Sequence, residues 1–154
     1  IGNPTSLAWS PDGLRIAYVG NPGQQDIYID NINITNNPAI DIEPSWSPDG
    51  QKIAFVSKRD GFYHIYIMNT DGSQITQLTN GIYSTSSPSF SPDGSKIVFS
   101  SNKDAGGSGN NDLYIMDVNG SNLYRLTNDS FKNYSPVWSP VLNSSTFSKR
   151  DGNK

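Results

Sequence analysis

Apolar residues in this chain come in short runs, broken about every ten residues by glycine, proline, asparagine and aspartate. Ile53-Ala54-Phe55-Val56 and Ile65-Tyr66-Ile67-Met68 are nearly continuous rather than alternating, which predicts strands covered on both faces. The breaks between them carry turn chemistry: Ser47-Pro48-Asp49-Gly50, Lys58-Arg59-Asp60-Gly61 and Thr70-Asp71-Gly72. Proline presets φ at the second turn position, aspartate tolerates the third, and glycine takes positive φ where the next strand begins. The stretch 43–79 therefore reads as four strands, near 44–47, 52–57, 65–69 and 75–78. No segment sustains a helical period, and essentially no helix is predicted.

The same pattern recurs along the chain. Trp-Ser-Pro-Asp-Gly begins at Trp9 and Trp46, Phe-Ser-Pro-Asp-Gly begins at Phe90, and a damaged copy begins at Trp138. The second strand recurs at 15–19, 52–56 and 96–100, the third at 26–29, 64–68 and 112–116, and Leu-Thr closes the unit at 78–79 and 126–127. Four strands at a period of roughly 40–45 residues is the sequence signature of a β-propeller blade. On these motifs, over positions of about 4 to 140, the chain resembles the TolB-like propeller repeat. The resemblance implies an all-β fold of four-stranded antiparallel blades, about three and a half of them. The blades are expected at about 5–40, 43–79 and 87–127, with a degenerate fourth from about 136, in a single partial propeller over 1–154. Propellers close with four to eight blades. The reading is therefore a piece of a longer ring, with closure by several chains as the alternative.

Composition narrows the function. A net charge of −3 with scattered lysines and arginines argues against nucleic acid. No apolar run approaches the roughly 20 residues of a membrane-spanning helix. The absence of cysteine excludes disulfides and thiolate metal sites. Asn-x-Ser/Thr sequons begin at Asn33, Asn119, Asn128, Asn133 and Asn143. The resemblance implies a periplasmic or extracellular protein.

Propeller topology puts the second-to-third-strand loops on one face, together with the links between blades. That face is irregular and aromatic, whereas the other consists of tight turns, so a binding surface is expected on the former. Its candidate residues are Arg59, Asp60, Phe62, Tyr63, His64, Tyr83, Lys103, Asp104, Phe131 and Tyr134, since tyrosine and arginine suit a protein or peptide interface. The bland alternatives are specific. Arg59-Asp60, Lys103-Asp104 and Arg150-Asp151 read as local ion pairs bracing loops. His64, the only histidine, reads as structural or rim-forming, because no second imidazole or cysteine accompanies it. Trp9, Trp46, Phe90 and Trp138 read as packing between blades. Asn69-x-Asp71-Gly72 and Asp117-x-Asn119-Gly120 read as plain turns, because Ile67 and Ile115 stand where a calcium loop needs acids.

No catalytic residue, metal or cofactor is assigned: there is no nucleophile elbow and no paired base. The expectation is a non-catalytic module binding protein or peptide. The alternatives are a substrate-gating propeller of a larger peptidase and an assembly subunit completing its ring by oligomerisation. A polysaccharide lyase is disfavoured by the single histidine and few basic residues.

Overall fold

The computed structural model describes residues 6–20, 23, 25–104 and 110–139, together with the strand at 147–151. It is built of strands: β1 (Leu7–Trp9), β2 (Ile16–Gly20), β3 (Asp26–Ile29), β4 (Ile32–Asn33), β5 (Asp41–Trp46), β6 (Lys52–Ser57), β7 (His64–Asn69), β8 (Thr76–Gln77), β9 (Thr85–Phe90), β10 (Lys96–Ser101), β11 (Asp112–Asp117), β12 (Tyr124–Arg125), β13 (Asn133–Trp138) and β14 (Phe147–Asp151). They form three four-stranded antiparallel meanders, β1–β4, β5–β8 and β9–β12, and a β13–β14 pair. This is a partial β-propeller, three blades and part of a fourth. The expected Arg150-Asp151 pair lies outside the described side chains.

Each Ser-Pro-Asp-Gly turn closes by a repeated set of bonds. The Ser47 hydroxyl donates to Asp49, whose carboxylate also accepts from the Gln51 backbone, while Gly50 N–H donates to the Ser47 carbonyl. Ser10 and Asp12, and Ser91 and Asp93, repeat the arrangement. In the plain turns at Asn69–Gly72 and Asp117–Gly120, Asp71 and Asn119 accept from Ser73 and Ser121. Gly72 is required there for closeness as well as for its φ of +83°. A Cβ would lie 2.3 Å from the Ile34 carbonyl oxygen of the preceding sheet.

Two cores lie between sheets. Ala17, Ile27 and Ile29 of the first sheet meet Trp46, Ile53, Phe55, Tyr66 and Met68 of the second. Ala54, Ile65 and Ile67 of the second meet Phe90, Ile97, Phe99, Tyr114 and Met116 of the third. At both interfaces the earlier sheet offers a small, branched face and the later one a face rich in aromatics. Both faces of the middle sheet are buried, which is why its strands read as continuous apolar runs. The tryptophans add a polar tie: Trp46 Nε1–H donates to the Ala8 carbonyl at 3.1 Å and Trp138 Nε1–H to that of Ser89 at 3.0 Å. Trp9 departs from the expected packing. It is 59 % exposed, because no described sheet covers the aromatic side of the first blade.

The first strands β1, β5, β9 and β13 line an open axial cavity of about 520 Å³. Three of them carry a bulge where the register shifts, between Ile42 and Ser45, Ser86 and Ser89, and Tyr134 and Val137. The residue at each bulge, Glu43, Ser87 or Ser135, has a left-handed φ near +50° and is followed by proline. Proline has no ladder donor to lose there, which suits it to a bulge.

Candidate functional site

The loop face is pinned by one backbone latch used three times. Asp41, Thr85 and Asn133, heading β5, β9 and β13, donate their N–H groups to the carbonyls of Gln25, Tyr63 and Asn111 at 2.7–2.9 Å. Each carbonyl belongs to the second-to-third-strand loop of the preceding sheet, so loop and inter-sheet link meet on one face. Beneath the latch sits the threonine of the Leu-Thr motif, or of Ile34-Thr35 in the first sheet. Thr35, Thr79 and Thr127 accept the N–H groups of Ile27, Ile65 and Leu113. Thr35 and Thr127 also bond Asp26 and Asp112 at the heads of β3 and β11.

His64 occupies that head position in the second sheet and is fully buried. Its place in an exposed binding surface is therefore corrected. Nε2 lies 3.1 Å from the Gly81 carbonyl, which can only accept, so Nε2 carries the proton. Nδ1 faces the Thr79 hydroxyl at 3.4 Å. His64 thus ties the β6–β7 loop to the link before β9. Phe62 lies 6.4 Å away and Tyr83 meets the ring edge-on at 5.7 Å.

The Arg59-Asp60 reading is also corrected, because the two residues do not pair. Arg59 turns inward to both oxygens of buried Asp41 at 3.2 Å, donates through Nε to Ser57 at 2.8 Å, and stacks over Tyr66 and Phe55. Burial raises the Asp41 carboxyl above its ordinary value, opposed by the Ser57 hydroxyl and the Arg59 charge. Asp60 instead accepts from Gln77 at 2.6 Å. In the third sheet Thr85 stands where Asp41 does, so Lys103 lacks that buried acid and stays exposed, 3.7 Å from Asp104. Asp104 accepts the Tyr114 hydroxyl at 2.6 Å, and that bond holds its carboxyl below the usual range.

The outward-facing residues are Phe62, 41 % exposed, Phe131, 64 %, Tyr134, 40 %, and Ile82, 88 %. Tyr83 is half-buried, and desolvation, with the Asp104 charge, raises its hydroxyl. Tyr63 is half-buried and lines a cleft of about 230 Å³ between the second and third sheets, with Ile42, Glu43, Val56, Ser84, Thr85, Ser86 and Asn111. Sequence reasoning named Tyr63 but missed the other lining residues and Ile82. A signal existed at Glu43, which stands where the other bulges carry serine. Among the described residues, no three His, Asp or Glu side chains gather into a metal-binding group. No helix in the described part is long and apolar enough to cross a membrane.

Stacked four-stranded sheets around an axial cavity, with loops latched on one face, define the class: a β-propeller domain. Residues 3–154 match the family model described as the TolB beta propeller domain, and the chain belongs to that family. It is similar to TolB from Acinetobacter baumannii, with 28 % identity and a TM-score of 0.78 over 97 % of this chain and 38 % of that one. The putative TolB from Agrobacterium tumefaciens is 29 % identical, with a TM-score of 0.73 over 88 % of this chain and 51 % of its own. A Mycobacterium tuberculosis puromycin-hydrolyzing peptidase shares the fold at 15 % identity and a TM-score of 0.67, over 85 % of this chain and 23 % of the peptidase. The chain thus spans about half or less of the length of these relatives. Comparison with curated protein sequences finds no match.

Proposed function

We propose that this chain is a non-catalytic propeller module that binds a protein or peptide partner through its loop face, in the periplasm or outside the cell. The observation that carries the reading is the group of exposed rings and apolar side chains, Phe62, Ile82, Phe131 and Tyr134, beside the Tyr63 cleft. Large rings on a pinned scaffold give contact area at low ordering cost. The opposite face consists mainly of tight turns whose Ser, Asp and Asn side chains bond to one another, with Leu14, Ile75 and Leu123 exposed singly beside them. Family membership and the TolB relatives support the compartment.

The test is selection of displayed random peptides against the chain, followed by affinity measurement on a variant carrying Phe62→Ser, Ile82→Ser and Phe131→Ser. All three side chains are exposed, so the fold is expected to survive. Binders should lose about ten-fold or more in affinity, the scale of a lost hot spot. Binders that hold the triple variant as tightly as the wild type would place the surface elsewhere.

A further inference from the structure

We propose that the cleft between the second and third sheets is a subsite for a lysine side chain of the partner, anchored by Glu43. The inference rests on the loop-face reading above and names the chemistry that one part of that face accepts.

Glu43 is the only charged residue lining the cleft, and it also lines the axial cavity. Its backbone is left-handed, with φ of 55°, at the bulge before Pro44. The same bulge is made by Ser87 and Ser135, so the backbone does not demand a carboxylate. One oxygen of Glu43 accepts the Ser87 N–H of the next sheet. A carboxylate offers about four acceptor sites. Among the described residues no lysine or arginine pairs with this one, whereas Asp41, Asp104, Asp112 and Asp117 each have a basic partner within 4 Å.

The walls suit a long aliphatic stem. Ile42 and Val56 are apolar, Tyr63 adds a ring, and Ser84, Ser86 and Asn111 supply polar groups. Methylenes lie against such walls while a terminal cation reaches an acceptor. The space holds one side chain, not a folded element. Lys58 stands 5.5 Å from the Tyr63 ring centre and repels a cation held beside that ring, which leaves Glu43 as the favoured end. An ammonium, a compact point charge, needs only the free oxygen, whereas a two-pronged guanidinium has to share the oxygen that already accepts the Ser87 N–H.

The test uses the 154-residue chain and three capped tripeptides, Gly-Lys-Gly, its norleucine analogue and its arginine analogue, titrated with amide NMR detection. The lysine peptide should shift the amides of Tyr63, Thr85 and Asn111. It should bind about five-fold tighter than norleucine, the upper range for a partly solvated ion pair. Glu43→Gln keeps an oxygen for the Ser87 N–H, so the fold should persist while the lysine and norleucine peptides become equal. Equal affinities in the wild type, arginine ahead of lysine, shifts away from the cleft, or lysine preference surviving Glu43→Gln would each overturn the assignment. Failure here leaves the loop-face reading standing if the triple variant still loses its binders. Binders unaffected by the triple variant refute that reading instead.

Discussion

Trp46 and Trp9 occupy the same motif position in opposite surroundings, and substituting each measures what the inter-sheet contact contributes. Trp46 is 7 % exposed, packs against Ala17, Ile27 and Ile29, donates to the Ala8 carbonyl, and has the Arg15 guanidinium 4.8 Å from its ring centre. Trp46→Phe installs the residue that the third sheet already uses, Phe90. It removes the indole donor, worth about 1 kcal/mol net, and the area of one to two carbon groups, about another 1 kcal/mol. The expected loss is about 2 kcal/mol, while Trp46→Ala should lose about 3–5 kcal/mol through the cavity it leaves. Trp9→Ala removes an exposed ring and should cost less than about 1 kcal/mol. Urea unfolding followed by circular dichroism reads all three without relying on tryptophan emission. With a slope of about 2 kcal/mol per molar, Trp46→Phe moves the midpoint by about 1 M. A Trp9→Ala cost equal to that of Trp46→Ala at every protein concentration would refute the assignment of the stability to inter-sheet burial. A Trp9→Ala cost that grows with protein concentration would mean that a second copy covers that face.

Two further predictions concern polar ties. Thr127→Val keeps shape but deletes the hydroxyl that accepts the buried Leu113 N–H at 2.9 Å and bonds Asp112 at 3.0 Å. It should cost about 1–3 kcal/mol in urea unfolding, and a neutral result would show that the motif threonine is dispensable. Asp93 is held down to about 2 from an ordinary 3.8, first by the Ser91 hydroxyl, then by the Ser95 backbone and hydroxyl. A lowered folded value stabilises the fold above the unfolded pKa and is lost as pH falls through the folded one. The Tm difference between wild type and Asp93→Asn should therefore be full above about pH 4 and close towards about pH 2. A constant difference across that range would show that Asp93 does not act as a charged acceptor.

Much of the fold is legible locally. Pro48 and Gly50 restrict or permit particular φ values, and Asp49 bonds within its own turn, so Ser-Pro-Asp-Gly marks a strand junction wherever it occurs. The candidate surface was less legible. Phe62, Tyr63, Phe131 and Tyr134 lie at least partly exposed on the loop face. Arg59 was misread because its acid, Asp41, stands 18 positions away in another strand and out-competes adjacent Asp60. His64 was read as structural or rim-forming, and it is buried as the structural tie at the position of Asp26 and Asp112. At the cleft only Glu43 left a local signal, since the walls come from β5, β6, β9 and three connecting segments.

The blade, with its strands, turns and repeat, follows from local chemistry, because backbone dihedrals and short-range hydrogen bonds set these within a few residues. Which equivalent motif residues are buried and which exposed depends on the packing of one sheet on another. Trp46 has a neighbouring sheet and Trp9 has none among the described residues, and burial depends on what packs alongside rather than on the residue itself.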